Sequence, residues 1–401
     1  MNKKLIVFLL VIVLFISGCN STQTKETNNT KKEKDKEVVT TVKEKVDTTM
    51  KSMTLEEKIT QMLVVCYDSY EVDDTLIDVL KTNTPGGFIL MGKNIKTFDQ
   101  TKKFIDDLNK YSNIPMIIST DEEGGNVQRL EYLEDVSVTH IPYMYDVGKT
   151  NDVNVAKDVA KVMAEELRTL GINVTYAPVL DIYNNPDNEV IGKRSFGESK
   201  EIVSKMDIAF NEGLEENNIM GTYKHFPGHG DTDVDSHKDL PIINKTYEEL
   251  KEEELVPFQN AIDNGAKMIM VGHIALPNVT GDNTPASLSK KIITDILKKD
   301  MKYDGLVITD ALDMGALTNN YTDEEKYTMA INAGADLLLM PNGLKSAVEY
   351  IKNNIDEERI NESVIKILTY KYTYLSDYKY LDKSYLGSEE HKNIVSKINA
   401  N

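Results

Sequence analysis

Short apolar runs alternate with longer amphipathic segments along the chain from about residue 53 onward. The runs are β-branched and almost continuously apolar, as is typical of parallel strands buried on both faces of a sheet. Segments with helical periodicity separate them, such as TFDQTKKFIDDLNKY before PMIIST and VAKDVAKVMAEELRTLG before INVTYAPV. The predicted strands are QMLVVCY (61–67), GGFILMG (86–92), PMIIST (115–120), VTYAPVLDI (174–182), GTYKHF (221–226), KMIMVGHI (267–274), GLVITDA (305–311) and ADLLLMP (335–341).

The order of these elements predicts the architecture. Eight strands joined by helical segments fit an α/β fold, a (β/α)8 TIM-type barrel, in a single catalytic domain over 51–401. Two later segments, KSAVEYIKNNI and NESVIKILTYKYTYL, are predicted helices that close the barrel. No G-x-G-x-x-G motif follows the first strand, which argues against an open dinucleotide-binding sheet.

The N-terminus has the pattern of an export signal. Residues 1–18, MNKKLIVFLLVIVLFISG, place two lysines before an apolar run that is short for a membrane span, which predicts a signal peptide. The ISGC sequence ending at Cys19 resembles the bacterial lipobox, so Cys19 is the predicted lipidation site. An ordinary secretory signal with a chance cysteine is the alternative.

Residues 19–50 are rich in Lys, Glu and Thr and nearly free of large apolar residues, which predicts a polar tether after the acylated cysteine. The alternative is a partly helical extension packed on the domain, because VTTVKEKV can form two helical turns. We therefore expect a bacterial lipoprotein that is anchored to the cell membrane by its N-terminal lipid and located outside the cytoplasm.

Composition narrows the possible partners. The formal net charge of −19 argues against nucleic acid as a partner, because a phosphate backbone attracts basic surfaces. Two cysteines are too few for a disulfide framework. The second one, Cys66, lies in an apolar run and is predicted to be a small core residue. We expect a monomeric globular domain.

Polar residues collect where the predicted strands end, and in a barrel the carboxyl ends of the strands carry the active site. Carboxylates, arginines, a lysine and imidazoles in one place suit a polyhydroxylated ligand. Structural readings compete: helix capping or loop bracing for the aspartates, surface ion pairs for the arginines, and a satisfied core position for His273. For Asp181 we favour a structural role in orienting neighbouring loops. The residues are Asp121, Arg129, Asp181, Arg194, Lys224, His225, His273 and Asp310.

The segment KHFPGHGDTDVDSH, residues 224–237, holds three of the six histidines. His225-x3-His229 and Asp235-x-His237 are plausible spacings for metal ligands, so a barrel metallohydrolase is one reading. Proton transfer combined with sugar binding is the other. Gly228 and Gly230 are expected to let this loop open and close.

Six motifs, in order, resemble those of the family 3 glycoside hydrolases, and most of all their β-N-acetylhexosaminidase branch. They are DEEGGNVQRL (121–130), KRSFG (193–197), KHFPGHGDTDVDSH (224–237), MVGHIALP (270–277), PASLS (285–289) and ITDALDM (308–314). One departure is visible, because the family usually has Gln where this chain has Glu122. We expect this position to point away from the presumed substrate-binding Asp121, so that the change has little effect on the site.

The resemblance implies a double displacement with retention, without a metal or cofactor. By it, Asp310 is the nucleophile and His237, backed by Asp235, is the acid and base. A histidine can donate and accept a proton near neutral pH. The same resemblance implies that Asp121, Arg129, Arg194, Lys224 and His225 hold the hydroxyls of the sugar.

We therefore expect an exo-acting β-N-acetylglucosaminidase that removes terminal GlcNAc from cell-wall-derived glycans. Two alternatives remain open: a β-N-acetylglucosaminide phosphorylase, and a non-catalytic sugar-binding lipoprotein.

Overall fold

A computed structural model describes residues 41–232 and 234–398. The predicted signal peptide and the lipidation site Cys19 lie outside these residues, as does most of the predicted tether, so all three stay predictions. Residues 41–52 are helical, and a compact unit begins at Val46. Val46 is buried, and Thr49 Oγ1 lies 2.8 Å from the hydroxyl of Tyr372. The compact unit therefore includes residues 46–50, with the side chain of Val46 buried in it.

Eight parallel strands form the barrel. One group runs in the order β8–β1–β2–β3–β4–β5, and the other runs β7–β6–β5. Bridges from Val179 to Lys224 and from Ile308 to Leu337 join the groups into a closed barrel. The predicted TIM-type α/β fold is confirmed. The strands are β1 Leu63–Val65, β2 Gly87–Leu90, β3 Ile117–Thr120, β4 Val174–Thr175, β5 in two pieces (Met220–Gly221 and Tyr223–Phe226), β6 Met268–Val271, β7 Leu306–Thr309 and β8 Leu338–Leu339.

Helices surround the strands and begin where the sequence offers caps. Thr54, Thr97, Thr246 and Thr322 each accept a hydrogen bond from the backbone N–H three residues on, and a Glu or Gln there returns the bond. Such a cap contributes about 1 kcal/mol. The helices are Leu55–Gln61, Asp74–Thr82, Phe98–Asn109, Met144–Lys149, Val153–Leu170, Lys200–Glu216, Tyr247–Glu252, Leu255–Asp263, Pro277–Thr280, Gly315–Thr318, Asp323–Ala333, Leu344–Asn354, Glu357–Tyr370 and Glu389–Ser396, with π-helical turns at Lys291–Asp300 and Lys371–Leu375.

The core lies inside the barrel and between its strands and helices. Every residue of the eight strands is buried, which explains their unbroken apolar runs. Among the residues described, none of the helices is long and apolar enough to cross a bilayer.

The last helix, Glu389–Ser396, packs on Val153–Leu170. His391 is buried there, with Nδ1 3.1 Å from Glu166 and Nε2 2.9 Å from Glu165. The sequence offers no context for this histidine, because both of its partners lie more than two hundred residues earlier.

Candidate active site

A cavity of about 300 Å³ opens at the carboxyl ends of the barrel strands. The barrel brings seven of the eight predicted catalytic and sugar-binding residues to the wall of this cavity, although they come from four separate sequence motifs. The eighth, Asp235, lines an adjoining groove instead. The seven are Asp121, Arg129, Arg194, Lys224, His225, His237 and Asp310.

Glu123 organises the charged side of the cavity. Its carboxylate accepts two hydrogen bonds from Arg194, at 2.7 and 2.9 Å, and it lies 2.6 Å from Lys224 Nζ. Lys224 also donates to Asp121 Oδ1 at 3.0 Å, and Arg129 lies 3.6 Å from Asp121 Oδ2. Burial raises the pKa of Glu123, but Arg194 and Lys224 outweigh burial and hold that pKa well below its usual range. The cavity therefore presents fixed charges to a ligand.

Glu123 is a site residue without a role predicted from the sequence. The only available signal was the run of carboxylates in DEEGG. A short hairpin, Glu122–Gly124 paired with Val127–Gln128, turns Glu123 toward the barrel.

Asp181 fixes the positions of His225 and His229 in the segment 224–237. It is fully buried, and its carboxylate accepts from the backbone N–H and Nδ1 of His225, the latter at 2.6 Å. It also accepts from the backbone N–H of His229 at 2.6 Å. Burial raises the pKa of Asp181, but the bonds and charges of the two histidines outweigh it and leave the pKa lowered. These contacts match the orienting role favoured for this aspartate.

Asp310 follows β7 directly and is half-buried at the cavity wall. Its Oδ1 accepts a hydrogen bond from the N–H of Ala311 at 2.8 Å. Burial raises the pKa of this carboxyl, but the His225 imidazole, the Ala311 N–H and the Lys224 ammonium outweigh burial and lower the pKa below its ordinary value. The group is therefore ionised at neutral pH, as a nucleophile must be.

His237 reaches the cavity from the loop that follows β5, which we call the flap (residues 231–240). Its Nδ1 lies 2.9 Å from Asp235 Oδ1, and the same oxygen accepts the His237 N–H at 3.0 Å. Asp235 has a lowered pKa: burial raises it, but the bonds from His237 outweigh burial. A carboxylate on Nδ1 leaves Nε2 as the nitrogen that is available to a ligand.

The flap rests on the turn after β7. The N–H groups of Gly315 and Ala316 donate to the carbonyl oxygens of His237 and Ser236 at 3.2 and 3.1 Å. Asn319 Nδ2 donates to the Lys238 carbonyl at 2.9 Å. At the root of the loop, a Cβ on Gly230 would lie 1.7 Å from the Ile182 carbonyl oxygen. The expected hinge role of Gly230 is not supported by this contact, because the residue is glycine for lack of space.

A second concavity of about 920 Å³ continues from the cavity toward solvent. It shares Val127, Val190, Arg194 and His237 with the cavity, and Asp235 and Lys238 line it from the flap. The imidazole of His237 thus stands at the junction of a small inner chamber and a larger outer groove.

The contacts of the segment 224–237 do not support the alternative hypothesis that its histidines bind a metal ion. Both ring nitrogens of the buried His229 are engaged, with Thr232 Oγ1 at 2.7 Å and Ser236 Oγ at 3.0 Å. Over 41–232 and 234–398, no group of three or more His, Cys, Asp or Glu residues is arranged to hold a metal ion. The loop histidines instead brace the site and line the cavity.

Known proteins carry the same architecture. The glycosyl hydrolase family 3 N-terminal domain matches residues 54–370. The chain belongs to glycosyl hydrolase family 3. The predicted membership, and with it the class of glycoside hydrolases, is confirmed.

Several family 3 proteins are similar to this chain over most of its length. Beta-hexosaminidase A of Pseudoalteromonas piscicida is 30% identical over 346 residues, which cover 78% of this chain and 58% of that protein. This chain therefore spans little more than half the length of that relative. The structure of a family 3 beta-N-acetylglucosaminidase from Paenibacillus sp. str. FPU-7 shares 34% identity with a TM-score of 0.79, covering 86% of this chain and 68% of that one. Beta-glucoside phosphorylase BglX shares 27% identity with a TM-score of 0.82, covering 90% and 67%.

Glu122, the departure from the family motif, lies under the cavity wall and does not line the cavity. Its Oε2 accepts the backbone N–H groups of Arg129 and Leu130 at 2.7 and 3.1 Å. Burial raises its pKa to about 8, so the side chain is largely protonated at neutral pH. In that form it has the hydrogen-bonding groups that a Gln would offer.

We expect Glu122→Gln to retain activity and to change the pH dependence of stability. The folded-state pKa of Glu122 is raised, so its contribution to the free energy of unfolding is fully present below the unfolded pKa and is lost as pH rises toward about 8. The variant lacks this loss and should gain thermal stability over wild type between pH 5 and 8, with no further gain above. Thermal unfolding across this pH range measures it; a constant difference between the two proteins would contradict the assignment.

Proposed function

We propose that this protein is an exo-acting, retaining β-N-acetylglucosaminidase. The observation that carries the proposal is that Asp310 and the flap residue His237 line the same cavity. An ionised carboxylate can attack the anomeric carbon, while an imidazole protonates the departing oxygen. The similarity to proteins named beta-hexosaminidase and beta-N-acetylglucosaminidase supports this choice of sugar.

The reaction has two steps. In the first, an Asp310 oxygen bonds to the anomeric carbon as the bond to the leaving oxygen breaks, and His237 Nε2 gives its proton to that oxygen. In the second, His237 takes a proton from water, the water oxygen bonds to the anomeric carbon, and the bond to Asp310 breaks. Asp235 supports the imidazolium that exists before the first step and after the second, and between the steps it holds the neutral ring in the tautomer whose proton is on Nδ1.

Sugar binding is assigned to the charged wall. Asp121, Lys224 and His225 offer acceptors and donors whose positions are set by Glu123 and Asp181. Arg129 Nε is buried and has no hydrogen-bond partner within the described residues, which suits a donor kept for a ligand. Arg194 completes the set.

The two concavities support exo-action. The inner cavity of about 300 Å³ is of a size for one sugar unit, and the outer groove of about 920 Å³ is left for the leaving group. His237 at their junction is placed where the scissile oxygen would lie. Together with the predicted lipid anchor on Cys19, this arrangement favours fragments of peptidoglycan as the substrate and a site outside the cell membrane.

A β-N-acetylglucosaminide phosphorylase is the second candidate. An imidazole base, unlike a carboxylate, does not repel an approaching phosphate, and Lys238 lies beside His237 on the groove. The similarity to beta-glucoside phosphorylase BglX adds to this observation.

Incubation with purified muropeptides tests both candidates. With a hydrolase, mass spectrometry should show free GlcNAc and a fragment shortened by one GlcNAc, at a rate that millimolar phosphate leaves unchanged. GlcNAc-1-phosphate formed at a phosphate-dependent rate would establish the phosphorylase instead. Binding of GlcNAc without either product would favour the non-catalytic sugar-binding alternative.

A further inference from the structure

The backbone that follows Asp310 is bound at successive groups. The N–H of Asp310 donates to the Val271 carbonyl and the N–H of Leu312 donates to the Leu339 carbonyl, both at 2.9 Å. These bonds extend the pairing of β7 with its neighbours β6 and β8. The carbonyl oxygens of Ala311 and Leu312 are bound by side chains, and that of Ala311 also accepts the N–H of Met314 at 3.2 Å.

His273 binds the first of these carbonyls. Its Nε2 lies 2.9 Å from the Ala311 oxygen, and its Nδ1 lies 2.7 Å from Ser287 Oγ. A carbonyl oxygen can only accept, so Nε2 carries the proton, and in the neutral ring Nδ1 accepts from the serine hydroxyl. Burial lowers the pKa of His273, which keeps the ring neutral. Neither side chain lines the cavity, so the pair has no direct contact with a sugar there.

The PASLS motif (285–289) positions Ser287 against His273. The N–H of Ser287 donates to the Gly272 carbonyl at 3.2 Å, and the N–H of Ala286 donates to the Ile274 carbonyl at 2.8 Å. The motif therefore runs beside the segment that carries His273 and sets its serine against the imidazole.

Lys326 binds the second carbonyl. Its Nζ donates to the Leu312 oxygen at 2.8 Å and lies 2.6 Å from Asp323 Oδ1. The side chain is 1% exposed, on the helix Asp323–Ala333. Two buried donors from separate elements thus hold adjacent carbonyls directly after Asp310.

We propose that His273 and Lys326 are positioning residues that fix the backbone behind Asp310 and so aim its carboxylate at the anomeric carbon. This inference rests on the proposed role of Asp310 as the nucleophile. Attack needs the reacting atoms to be aligned, and a misplacement of about 1 Å costs about 10²-fold in rate. Loss of Lys326 also leaves the buried Leu312 carbonyl without its side-chain donor, and loss of His273 leaves the Ala311 carbonyl with the Met314 N–H alone, so either change favours movement of the segment.

The test uses His273→Leu and Lys326→Met in the full chain. We expect kcat on an aryl β-GlcNAc glycoside to fall about 10- to 100-fold, with KM and the inhibition constant of GlcNAc changed less than about 2-fold. His273→Gln should recover most of the activity, because its amide can donate to Ala311 and accept from Ser287. The acid limb of the pH profile of kcat/KM reports the pKa of the nucleophile, and it should shift in His273→Leu and Lys326→Met.

Matched controls separate positioning from general destabilisation. His391→Leu removes another buried histidine, and Lys371→Met removes another buried lysine. Lys371 donates to Gln61 Oε1 at 2.8 Å and to the Gly86 carbonyl at 2.5 Å, before β1 and β2 and thus at the opposite end of the barrel from the cavity. The controls should lose thermal stability and keep kcat.

Three results would overturn the inference: unchanged kcat in both His273→Leu and Lys326→Met, equal loss in the controls, or no rescue by His273→Gln. If His273→Leu does not fold, Ser287→Ala tests the same pair, with a fall in kcat of about 2- to 10-fold expected at unchanged KM; an unchanged kcat there counts against the inference too. Asp310→Ala in the same series keeps the proposals apart. Activity in that variant defeats the proposed function, whereas an inactive Asp310→Ala beside fully active His273→Leu and Lys326→Met defeats only this inference.

Discussion

Replacement of Asp310 by Ala is expected to lower kcat on an aryl β-GlcNAc glycoside by about four orders of magnitude, because the covalent step loses its nucleophile. Binding of GlcNAc should persist, since Asp121, Lys224 and Arg194 still line the cavity. Steady-state kinetics and an inhibition constant for GlcNAc measure the two effects. Asp304→Ala is the matched control: this aspartate is exposed at the other end of the same strand and should be silent.

Azide adds a stereochemical readout to this variant. A small anion that enters the space left by the Asp310 carboxylate attacks the anomeric carbon from the same face, so the product should be the α-glycosyl azide. Activity of Asp310→Ala close to that of the control, or a β-azide as its product, would show that another group forms the covalent bond.

Replacement of His237 by Ala is expected to slow substrates with poor leaving groups by about 10² to 10⁴-fold, because the departing oxygen then leaves unprotonated. A dinitrophenyl glycoside, whose leaving group needs no proton, should lose far less in its first step. Asp235→Asn should give a smaller loss of the same kind, since it weakens the support of His237 Nδ1. Rates across a series of aryl glycosides measure the leaving-group dependence.

His140→Ala is the control for this second prediction. His140 is also exposed and paired with a carboxylate, its Nδ1 being 2.6 Å from Glu131 Oε1, but it does not line the cavity. The control should behave as wild type. Equal losses for good and poor leaving groups in His237→Ala would remove this residue from the acid role.

The barrel could be predicted from the sequence because its strands are buried on both faces. Each of the eight apolar runs contains a strand, since burial alone decides their composition. The hairpin at Glu122–Gln128 escaped prediction because EEGGNVQ has neither apolar alternation nor a strong turn pair. The inclusion of Val46 in the compact unit is hard to predict, because a single buried valine barely changes the polar composition around it.

The candidate site divides in the same way. Residues at strand ends could be gathered in advance, because a parallel barrel places all those ends on one face. Their partners could not. Glu123 meets Arg194 across 71 positions of sequence, and His273 meets Ala311 across 38. Such pairs depend on loop paths that periodicity does not encode, so the sequence predicted which residues line the cavity and left open what holds them there.

The contact between the flap and the turn at Gly315 couples the position of the His237 imidazole to that of the Asp310 carboxylate. A Cβ at Gly315 would lie 2.6 Å from the His237 carbonyl oxygen. The flap can therefore pack this closely on the turn after β7 only because residue 315 is a glycine. Transplanting the flap from a relative to alter acceptor choice would therefore need residues 310–319 to be exchanged with it. The flap and the turn after β7 are therefore expected to change together, in natural variants and in engineered ones.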